Sequence, residues 1–293
     1  MRETENKSIS GSKYFFTCTL CSNEVHILLY EKKGYPIVRC EQCGIVSTVL
    51  PDNFDTSKIY DDSYFQGGQV DGYADYQSSE KILHAEFKSV VKKLSTHFKD
   101  TSGKKLLEIG SAYGYFLDEA SKYFKCYGVE INQAGVIQSR KRGLQVFEGE
   151  MNDDILLETG KLDVVVMLDV IEHLNEPLKT MEKLFAAMNP GGVILIVTGN
   201  HNSLLSKLMS ANWRLMTPPQ HTFFFSAKTL KALLVKAGFK IKTTDSPWKI
   251  VPLGLPFYQI GSRIGFRIRK LEQINSFGIP LNLFDTVRII AGK

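Results

Sequence analysis

Short apolar segments alternate with segments of helical spacing from about residue 104 onward. Five of the apolar segments are predicted strands: 104–109, 126–129, 144–147, 162–168 and 193–198. The fourth is an apolar run, as expected for a strand that is buried on both faces of a parallel sheet. Strands that alternate with helices in this way predict an α/β domain with a doubly wound parallel sheet.

Capping residues bound the helices that are predicted around these strands. Asn132 is a favourable N-cap, and Gly143 ends the helix that follows it. Asn189-Pro190-Gly191-Gly192 ends another helix before the fifth strand. The remaining predicted helices cover residues 78–98, 115–124, 177–188 and 227–237.

Four of the five cysteines form two C-x-x-C pairs near the N-terminus. Cys18 and Cys21 make the first pair, and Cys40 and Cys43 make the second. Two such pairs supply the four thiolates of a tetrahedral zinc site. Because four thiolates leave no open position, the predicted role is structural. The rival interpretation, disulfides or a redox pair, suits a secreted chain, and the polar first dozen residues resemble no secretion signal.

Charge is unevenly distributed along the chain. The net charge is +5, and residues 249–293 alone hold seven basic and two acidic side chains. The cysteine-rich segment is neutral, which argues against a nucleic-acid-binding ribbon because phosphate contacts need surplus Lys and Arg. No apolar run approaches the roughly 20 residues of a membrane span. A cytoplasmic protein without a nucleic-acid partner is therefore expected.

The carboxyl edge of the predicted sheet is the expected ligand site. Gly110 and Gly114 would let the backbone approach a ligand closely, and Glu130 could bind a ribose diol. A dinucleotide-dependent dehydrogenase competes on these features alone. However, the loop reads G-x-x-x-G, and Glu108 precedes it. A carboxylate there suits a cationic sulfonium amino acid better than a pyrophosphate.

The stretch Leu107-Glu108-Ile109-Gly110-Ser111-Ala112-Tyr113-Gly114 resembles the first motif of class I S-adenosylmethionine-dependent methyltransferases, with Ala112 in place of a glycine. The resemblance implies a Rossmann-like, seven-stranded sheet. It also implies a set of residues that contact S-adenosylmethionine: Glu108, Gly110, Ala112, Gly114, Glu130, Ile131, Glu150 and Asp169. Within this set, Glu130 would bind the ribose and Glu150 the adenine amine.

Two further segments resemble the same family. Asp169-Val170-Ile171-Glu172-His173 resembles the D-x-x-E-H segment of small-molecule methyltransferases, such as those of quinone biosynthesis. Glu172 and His173 could face the acceptor, hold a divalent ion or form structural hydrogen bonds. His221, in a segment that reads H-x-F-F-F-S, is the candidate base; orienting the adjacent loop is its alternative role. Residues 285–291 resemble the family's last strand.

The architecture is similar to that of sugar methyltransferases with an N-terminal zinc module. Residues 1–55 are the predicted zinc ribbon, 56–100 a linker and helical lid, and 101–293 the methyltransferase domain, with a basic insertion at 249–283. The implied partner is a small-molecule acceptor, for example a nucleotide- or lipid-linked sugar, and the insertion could also touch a membrane surface. A zinc-ribbon rRNA methyltransferase and a non-catalytic partner-binding protein are the alternatives.

Overall fold

A computed structural model describes residues 11–51, 54, 76–77, 79–252 and 278–293. Its largest feature is a seven-stranded sheet that is parallel except at one edge. In chain order its strands are β5 (Lys105–Ile109), β6 (Lys125–Glu130), β7 (Val146–Glu148), β8 (Leu162–Leu168), β9 (Met188–Gly199), β11 (Lys240–Asp245) and β14 (Thr286–Gly292). This is the predicted Rossmann-like α/β fold.

The spatial order of these strands is β11-β14-β9-β8-β5-β6-β7. Strands β5, β6, β7, β8 and β9 pair in parallel, whereas β14 pairs antiparallel with both β9 and β11. The order reverses between β5 and β8. The carboxyl ends of these two strands therefore flank the crevice in which doubly wound sheets bind ligands.

Seven α-helices lie within the described residues. They are α1 (Glu80–Ser95), α2 (Tyr115–Ala120), α3 (Gln133–Lys141), α4 (Asp153–Thr159), α5 (Pro177–Ala187), α6 (Leu204–Met209) and α7 (Ala227–Lys236). The Asn132 side chain caps α3 as predicted by accepting from the Gly135 amide, and Gly143 follows the helix at φ +79°. None of the helices in these ranges is both long and apolar enough to cross a membrane.

Two of the predicted element bounds were wrong. Helix α2 ends at Ala120, where the chain turns so that Phe124 packs edge to face against Phe98, instead of continuing to residue 124. Strand β9, predicted to begin at residue 193, begins at Met188 directly after α5 and so includes residues 189–192. In both cases tertiary packing and sheet pairing decide a boundary that local signals place elsewhere.

The cysteine-rich segment forms a second sheet. Its strands are β1 (Lys13–Phe15), β2 (Val25–Lys32), β3 (Tyr35–Cys40) and β4 (Val46–Thr48), paired in sequence order. A fifth strand, β10 (Phe223–Phe224), comes from a segment distant in sequence and pairs antiparallel with β4. The ribbon thus shares a sheet with a segment that follows β9, which the sequence pattern does not predict.

Apolar side chains fill both faces of the large sheet. One face packs against α1, α2 and α3. The other face packs against α5 and α7 and against residues of the ribbon, among them Leu20 and Ile45. The Lys236 ammonium group of α7 also donates to the Leu20 carbonyl, at 2.8 Å. The ribbon is therefore part of the main core on that face.

The segment predicted as a basic insertion follows β11 and precedes β14 in the chain. Its two ends form a hairpin in which β12 (Lys249–Pro252) pairs antiparallel with β13 (Gly278–Leu281). Helical spacing in the sequence predicts an amphipathic helix within the insertion, with Arg263, Arg267 and Lys270 on one face. These residues fall outside the described ones, as does most of the predicted lid between the ribbon and α1.

Candidate active site

The loop after β5 has the backbone conformation of a close-approach turn. Gly110 has φ +75°, Ala112 +48° and Gly114 +80°. The left-handed conformation is easy for glycine and unfavourable for alanine. Ala112 is held in it because its amide donates to Glu130 Oε2 at 2.7 Å. The departure from the family motif at this position is therefore accommodated by a specific hydrogen bond.

Glu130 joins the ends of two strands. Its Oε2 accepts from Ala112, and its Oε1 accepts from the Asn132 amide at 2.8 Å. The residue is only 5% exposed. Each carboxylate oxygen has a second lone pair, so the group still offers acceptor capacity at the mouth of the loop. Gly135 packs beneath it, where a Cβ would lie 2.9 Å from the Ala112 carbonyl oxygen and 3.0 Å from Glu130 Cγ.

Glu108 lies at the floor of the same loop. It is 3% exposed, and among the described residues its Oε2 has no hydrogen-bond partner. Burial, together with the charge of Glu130, raises the pKa of the Glu108 carboxyl well above its ordinary value. Burial also raises the pKa of Glu130, against the effect of hydrogen bonds from the backbone of Asn132, Ala112 and Ile131. Two buried carboxyls that repel each other form a site that favours a cationic ligand.

Ile131 and Glu150 lie at the same edge of the sheet. Ile131 is half-buried between Glu130 and the cap of α3. Glu150 is exposed just beyond β7, where the Gly149 amide donates to the Glu130 carbonyl at 2.9 Å. Ile131 directly follows Glu130, and Glu150 follows the residue that bonds the Glu130 carbonyl; their contact with an adenosine stays a prediction.

Asp169 follows β8 in a left-handed conformation, with φ +54°. Its amide donates to the Val197 carbonyl at 2.9 Å. Its Oδ2 accepts from Lys249 Nζ at 2.7 Å, an ion pair across 80 residues of sequence. Burial opposes the charge of Lys249, yet the carboxylates of Asp169 and Glu86 raise its pKa. The first strand of the insertion thus meets the carboxyl edge of β8.

Glu172 and His173 lie in a short 3₁₀ turn at residues 171–173. Glu172 is 3% exposed, and its Oε2 has no hydrogen-bond partner among the described residues. Burial, followed by the charge of Asp169, raises the pKa of Glu172 to about 8. The His173 Nδ1 atom lies 2.8 Å from the Gln220 carbonyl oxygen. Since a carbonyl only accepts, Nδ1 carries the proton when the ring is neutral, and Nε2 keeps its lone pair.

His221 faces this turn from the segment before β10. Its ring is perpendicular to that of His173, with centroids 4.6 Å apart. Burial and the neighbouring His173 lower the pKa of His221 well below its ordinary value, although a hydrogen bond to the Leu215 carbonyl acts in the opposite direction. The ring is therefore neutral near pH 7, and one of its two nitrogens is then an acceptor.

The structure brings the three predicted catalytic residues together. Ligand atoms of Glu172, His173 and His221 lie within 4.8 Å of one another. Such a cluster can take a proton from an acceptor hydroxyl, and its atom types and spacing also admit a small cation. The adjacent backbone connects the two segments, because the Thr222 amide donates to the Glu172 carbonyl at 2.9 Å.

The four predicted zinc ligands also converge. Their Sγ atoms all lie within 4.8 Å of one another, with Cys18 and Cys43 3.6 Å apart and Cys21 and Cys40 3.5 Å apart. Sulfurs bound to one zinc at about 2.3 Å in a tetrahedron would be about 3.8 Å apart. All four are free thiols rather than disulfides. The donor set and its dimensions fit a structural zinc site.

Three residues of the region are absent from the sequence-based prediction. Thr198, at the end of β9, lies beside the Glu172 carboxyl and acts to lower its pKa. Lys249 pairs with Asp169, and Thr48 of the ribbon contacts the His221 backbone. The strand-end position of Thr198 is a signal that could have placed it at this edge of the sheet. Lys249 and Thr48 arrive from distant segments, for which the sequence holds no local signal.

Sequence comparison relates the central part of the chain to methyltransferases. A family described as "Methyltransferase domain" matches residues 80–244. The chain is 30% identical over 146 residues to a Mycolicibacterium smegmatis protein named "Probable S-adenosylmethionine-dependent methyltransferase", covering 49% of this chain and 54% of that protein. It is 26% identical over 154 residues to a Pseudomonas aeruginosa ubiquinone biosynthesis O-methyltransferase, covering 48% and 66% respectively. The chain thus spans between about half and two thirds of these relatives.

Solved structures share the fold at low sequence identity. Magnesium protoporphyrin IX methyltransferase from Synechocystis, determined with bound SAH, has a TM-score of 0.50 at 15% identity, covering 82% of this chain and 100% of that one. The YcgJ protein from Bacillus subtilis has a TM-score of 0.50 at 15% identity, covering 71% and 97%. The family match covers more than half of the chain, and the chain therefore belongs to the methyltransferase-domain family, with the Rossmann-like fold of class I S-adenosylmethionine-dependent methyltransferases.

Proposed function

We propose that the protein transfers a methyl group from S-adenosylmethionine to a hydroxyl of a small molecule. The observation that carries the proposal is the convergence of two half-sites at the carboxyl edge of one sheet. Glu108 and Glu130 lie at the ends of β5 and β6, and the cluster of Glu172, His173 and His221 lies beyond β8. A methyl donor and an acceptor bound at these places would be neighbours.

The carboxylates of the first half-site suit the donor. Glu108 is buried with an unpartnered oxygen, and Glu130 keeps acceptor capacity after receiving two amides. Their mutual repulsion is relieved by a ligand that carries positive charge and donates hydrogen bonds. When bound, S-adenosylmethionine supplies a methyl group on a positively charged sulfur, and the C–S bond electrons return to that sulfur as the methyl leaves.

In the second half-site His221 is assigned the role of base. Its free ring nitrogen takes the proton of the acceptor hydroxyl while the oxygen forms its bond to the methyl carbon, so charge and atoms balance. A Glu172 carboxyl oxygen lies within 4.8 Å of a His221 ring nitrogen, near enough to accept a hydrogen bond from the imidazolium that results. Alignment of the acceptor oxygen with the methyl carbon supplies the rest of the rate acceleration.

The cysteine cluster is assigned a structural zinc ion. Cys18, Cys21, Cys40 and Cys43 fit the ion in donor type and in spacing. A four-strand ribbon of this size has too little core to be stable alone. Its contact with α7 and its shared strand β10 give it the support of the main domain.

A small-molecule acceptor is favoured by the relatives. Several of them are ubiquinone biosynthesis O-methyltransferases, whose names imply transfer to an oxygen. A nucleotide- or lipid-linked sugar stays a prediction from the sequence, since its support is the basic insertion, most of which lies outside the described residues.

Calorimetry with S-adenosylhomocysteine tests the donor half of the proposal. The purified chain should bind it with a Kd in the micromolar range, about −8 kcal/mol. Transfer of labelled methyl from S-adenosylmethionine to a panel of catechols, hydroxylated aromatics and nucleotide sugars tests the acceptor half. An absence of binding at millimolar ligand would refute the function as a whole, whereas binding without transfer to any hydroxyl would refute only the acceptor class.

A further inference from the structure

The strand of the ribbon that follows its second cysteine pair is hydrogen-bonded to the segment that carries His221. Strand β4 pairs antiparallel with β10, placing Ser47 opposite Phe223. One step further along, Thr48 makes two contacts. Its amide donates to the Thr222 carbonyl at 2.9 Å, and its hydroxyl donates to the His221 carbonyl at 2.7 Å.

Thr48 is well placed to act on its neighbours. It is 6% exposed, so water competes little for its hydrogen bonds. Through this hydroxyl, the ribbon is hydrogen-bonded to the backbone of His221 itself. A hydrogen bond of this kind restrains the peptide plane that follows His221, and with it the backbone from which the His221 side chain projects.

The other side of the same segment is held by the 3₁₀ turn. The Gln220 carbonyl accepts from the His173 ring, and the Thr222 amide donates to the Glu172 carbonyl. His221 thus lies between two supports, the ribbon and the turn that carries its partners. Thr48 contacts the carbonyl of His221, so it acts on the ring through the backbone.

On the ribbon side, the connection to His221 starts from the second cysteine pair. The Cys40 amide donates to the Ile45 carbonyl at 2.9 Å, and the Gly44 amide donates to the Cys40 carbonyl at 3.1 Å. Strand β4 starts at Val46, directly after this turn. The conformation of the second C-x-x-C turn therefore sets the register in which Thr48 reaches His221.

We propose that Thr48 is a positioning residue for His221, through which the metal-binding ribbon holds the candidate base in place. The inference rests on the proposed function, in which His221 is the base. The ribbon is then a part of the active-site scaffold. Its zinc site supports the reaction without touching donor or acceptor, because the turn at Cys40 and Cys43 fixes the strand that carries Thr48.

The test is a spectroscopic readout of the His221 ring that needs no acceptor. Protein labelled with ¹⁵N-histidine gives long-range ¹H–¹⁵N correlations for its six histidines, and these show which ring nitrogen carries the proton. A His221→Gln variant identifies the His221 signals. In the unmodified protein a single set is expected, with the proton on one ring nitrogen.

Thr48→Val removes the hydroxyl and keeps the shape and the amide. We expect its His221 signals to shift or to split into two tautomers, while zinc content stays unchanged. Thr48→Ser restores the hydroxyl and should return the original pattern. Ser47→Ala removes a neighbouring buried hydroxyl of the same strand and should leave the His221 signals unchanged. If the valine variant does not fold, Thr48→Ala removes the same donor with less bulk.

Superposable His221 signals in a folded Thr48→Val or Thr48→Ala variant would overturn the proposal, as would failure of serine to restore them. Once an acceptor is known, kcat should fall about two- to tenfold in Thr48→Val with the KM for S-adenosylmethionine unchanged, the effect of one neutral hydrogen bond. Calorimetry with S-adenosylhomocysteine on the same samples tests the proposed function separately. If that ligand does not bind, the proposed function fails, whereas the coupling between Thr48 and His221 is still decided by the spectra.

Discussion

The rings of His173 and His221 meet at 81°, with centroids 4.6 Å apart. The two residues come from segments separated by nearly 50 positions, and the His173 ring donates its proton to the Gln220 carbonyl when it is neutral. The neutral His173 ring therefore directs its lone pair away from that carbonyl. Two neutral imidazoles beside a buried carboxyl provide a place where a proton can be received at neutral pH.

Replacing His221 by alanine should separate chemistry from donor binding. Turnover with a hydroxyl acceptor should fall by about 10²–10⁴, the usual contribution of a positioned base. Affinity for S-adenosylhomocysteine should stay within about twofold, because the ring lies outside the half-site of Glu108 and Glu130. Single-turnover kinetics and calorimetry on the same preparation measure both. The matched control is His84→Ala, which removes an imidazole that contacts Glu119 on the outer helices. Normal turnover of the His221→Ala variant would mean that His221 orients the adjacent loop and is not the base.

Replacing Glu130 by alanine should weaken donor binding. A hydrogen bond to a charged group contributes about 1.5–3 kcal/mol, so affinity for S-adenosylhomocysteine should fall by about 10- to 150-fold in calorimetry. Glu148→Ala is the control, since Glu148 lies opposite Glu130 in the register of β6 and β7 and is exposed. Equal affinities of the two variants would mean that the ribose is bound elsewhere.

The sequence predicts the sheet well because its signals there are local. Apolar strands such as residues 162–168 and caps such as Asn132 act within a few positions, and the structure has them where the pattern places them. The loop of Gly110, Ala112 and Gly114 is likewise a local motif. Its unusual element, an alanine at φ +48°, depends on a contact with Glu130, which is 18 residues away.

The contacts that the sequence could not predict are those between residues far apart in the chain. The partnership of Lys249 with Asp169 joins residues 80 positions apart, and that of Thr48 with His221 joins residues 173 positions apart. Neither carries a periodicity or a motif. The aromatic residues 223–225 are buried, and the first two also extend the ribbon sheet, because their backbone groups meet an open strand edge.

The pH dependence of stability should report on Glu172. Burial and then the charge of Asp169 raise its folded-state pKa to about 8 from an ordinary value of 4.5. Between these limits the folded state binds more protons than the unfolded state, so this group's contribution to the free energy of unfolding falls as pH rises. A single proton changes that energy by at most about 1.4 kcal/mol per pH unit.

Glu172→Gln should remove this slope. Chemical denaturation at several pH values between 5 and 8 would give the free energy of unfolding of both proteins. The difference, unmodified protein minus variant, should decrease steadily across this window. A difference that is constant with pH, or one that increases, would mean that Glu172 is ionised in the folded protein throughout and has a charged partner.

Removing one cysteine of the cluster should release the metal and loosen more than the ribbon. Protein purified without added metal should contain about one equivalent of zinc per chain by elemental analysis, and Cys40→Ser should contain far less, because structural sites need all four ligands. Cys126→Ser is the matched control, since that thiol lies on β6 outside the cluster and should leave the zinc content unchanged.

The loss of zinc should also affect β10, which pairs with β4, so amide exchange at Phe224 should accelerate in Cys40→Ser and remain slow in Cys126→Ser. Full zinc content in Cys40→Ser would refute the ligand assignment, and an unchanged Phe224 amide in the zinc-depleted protein would show that the shared strand is stable without the metal.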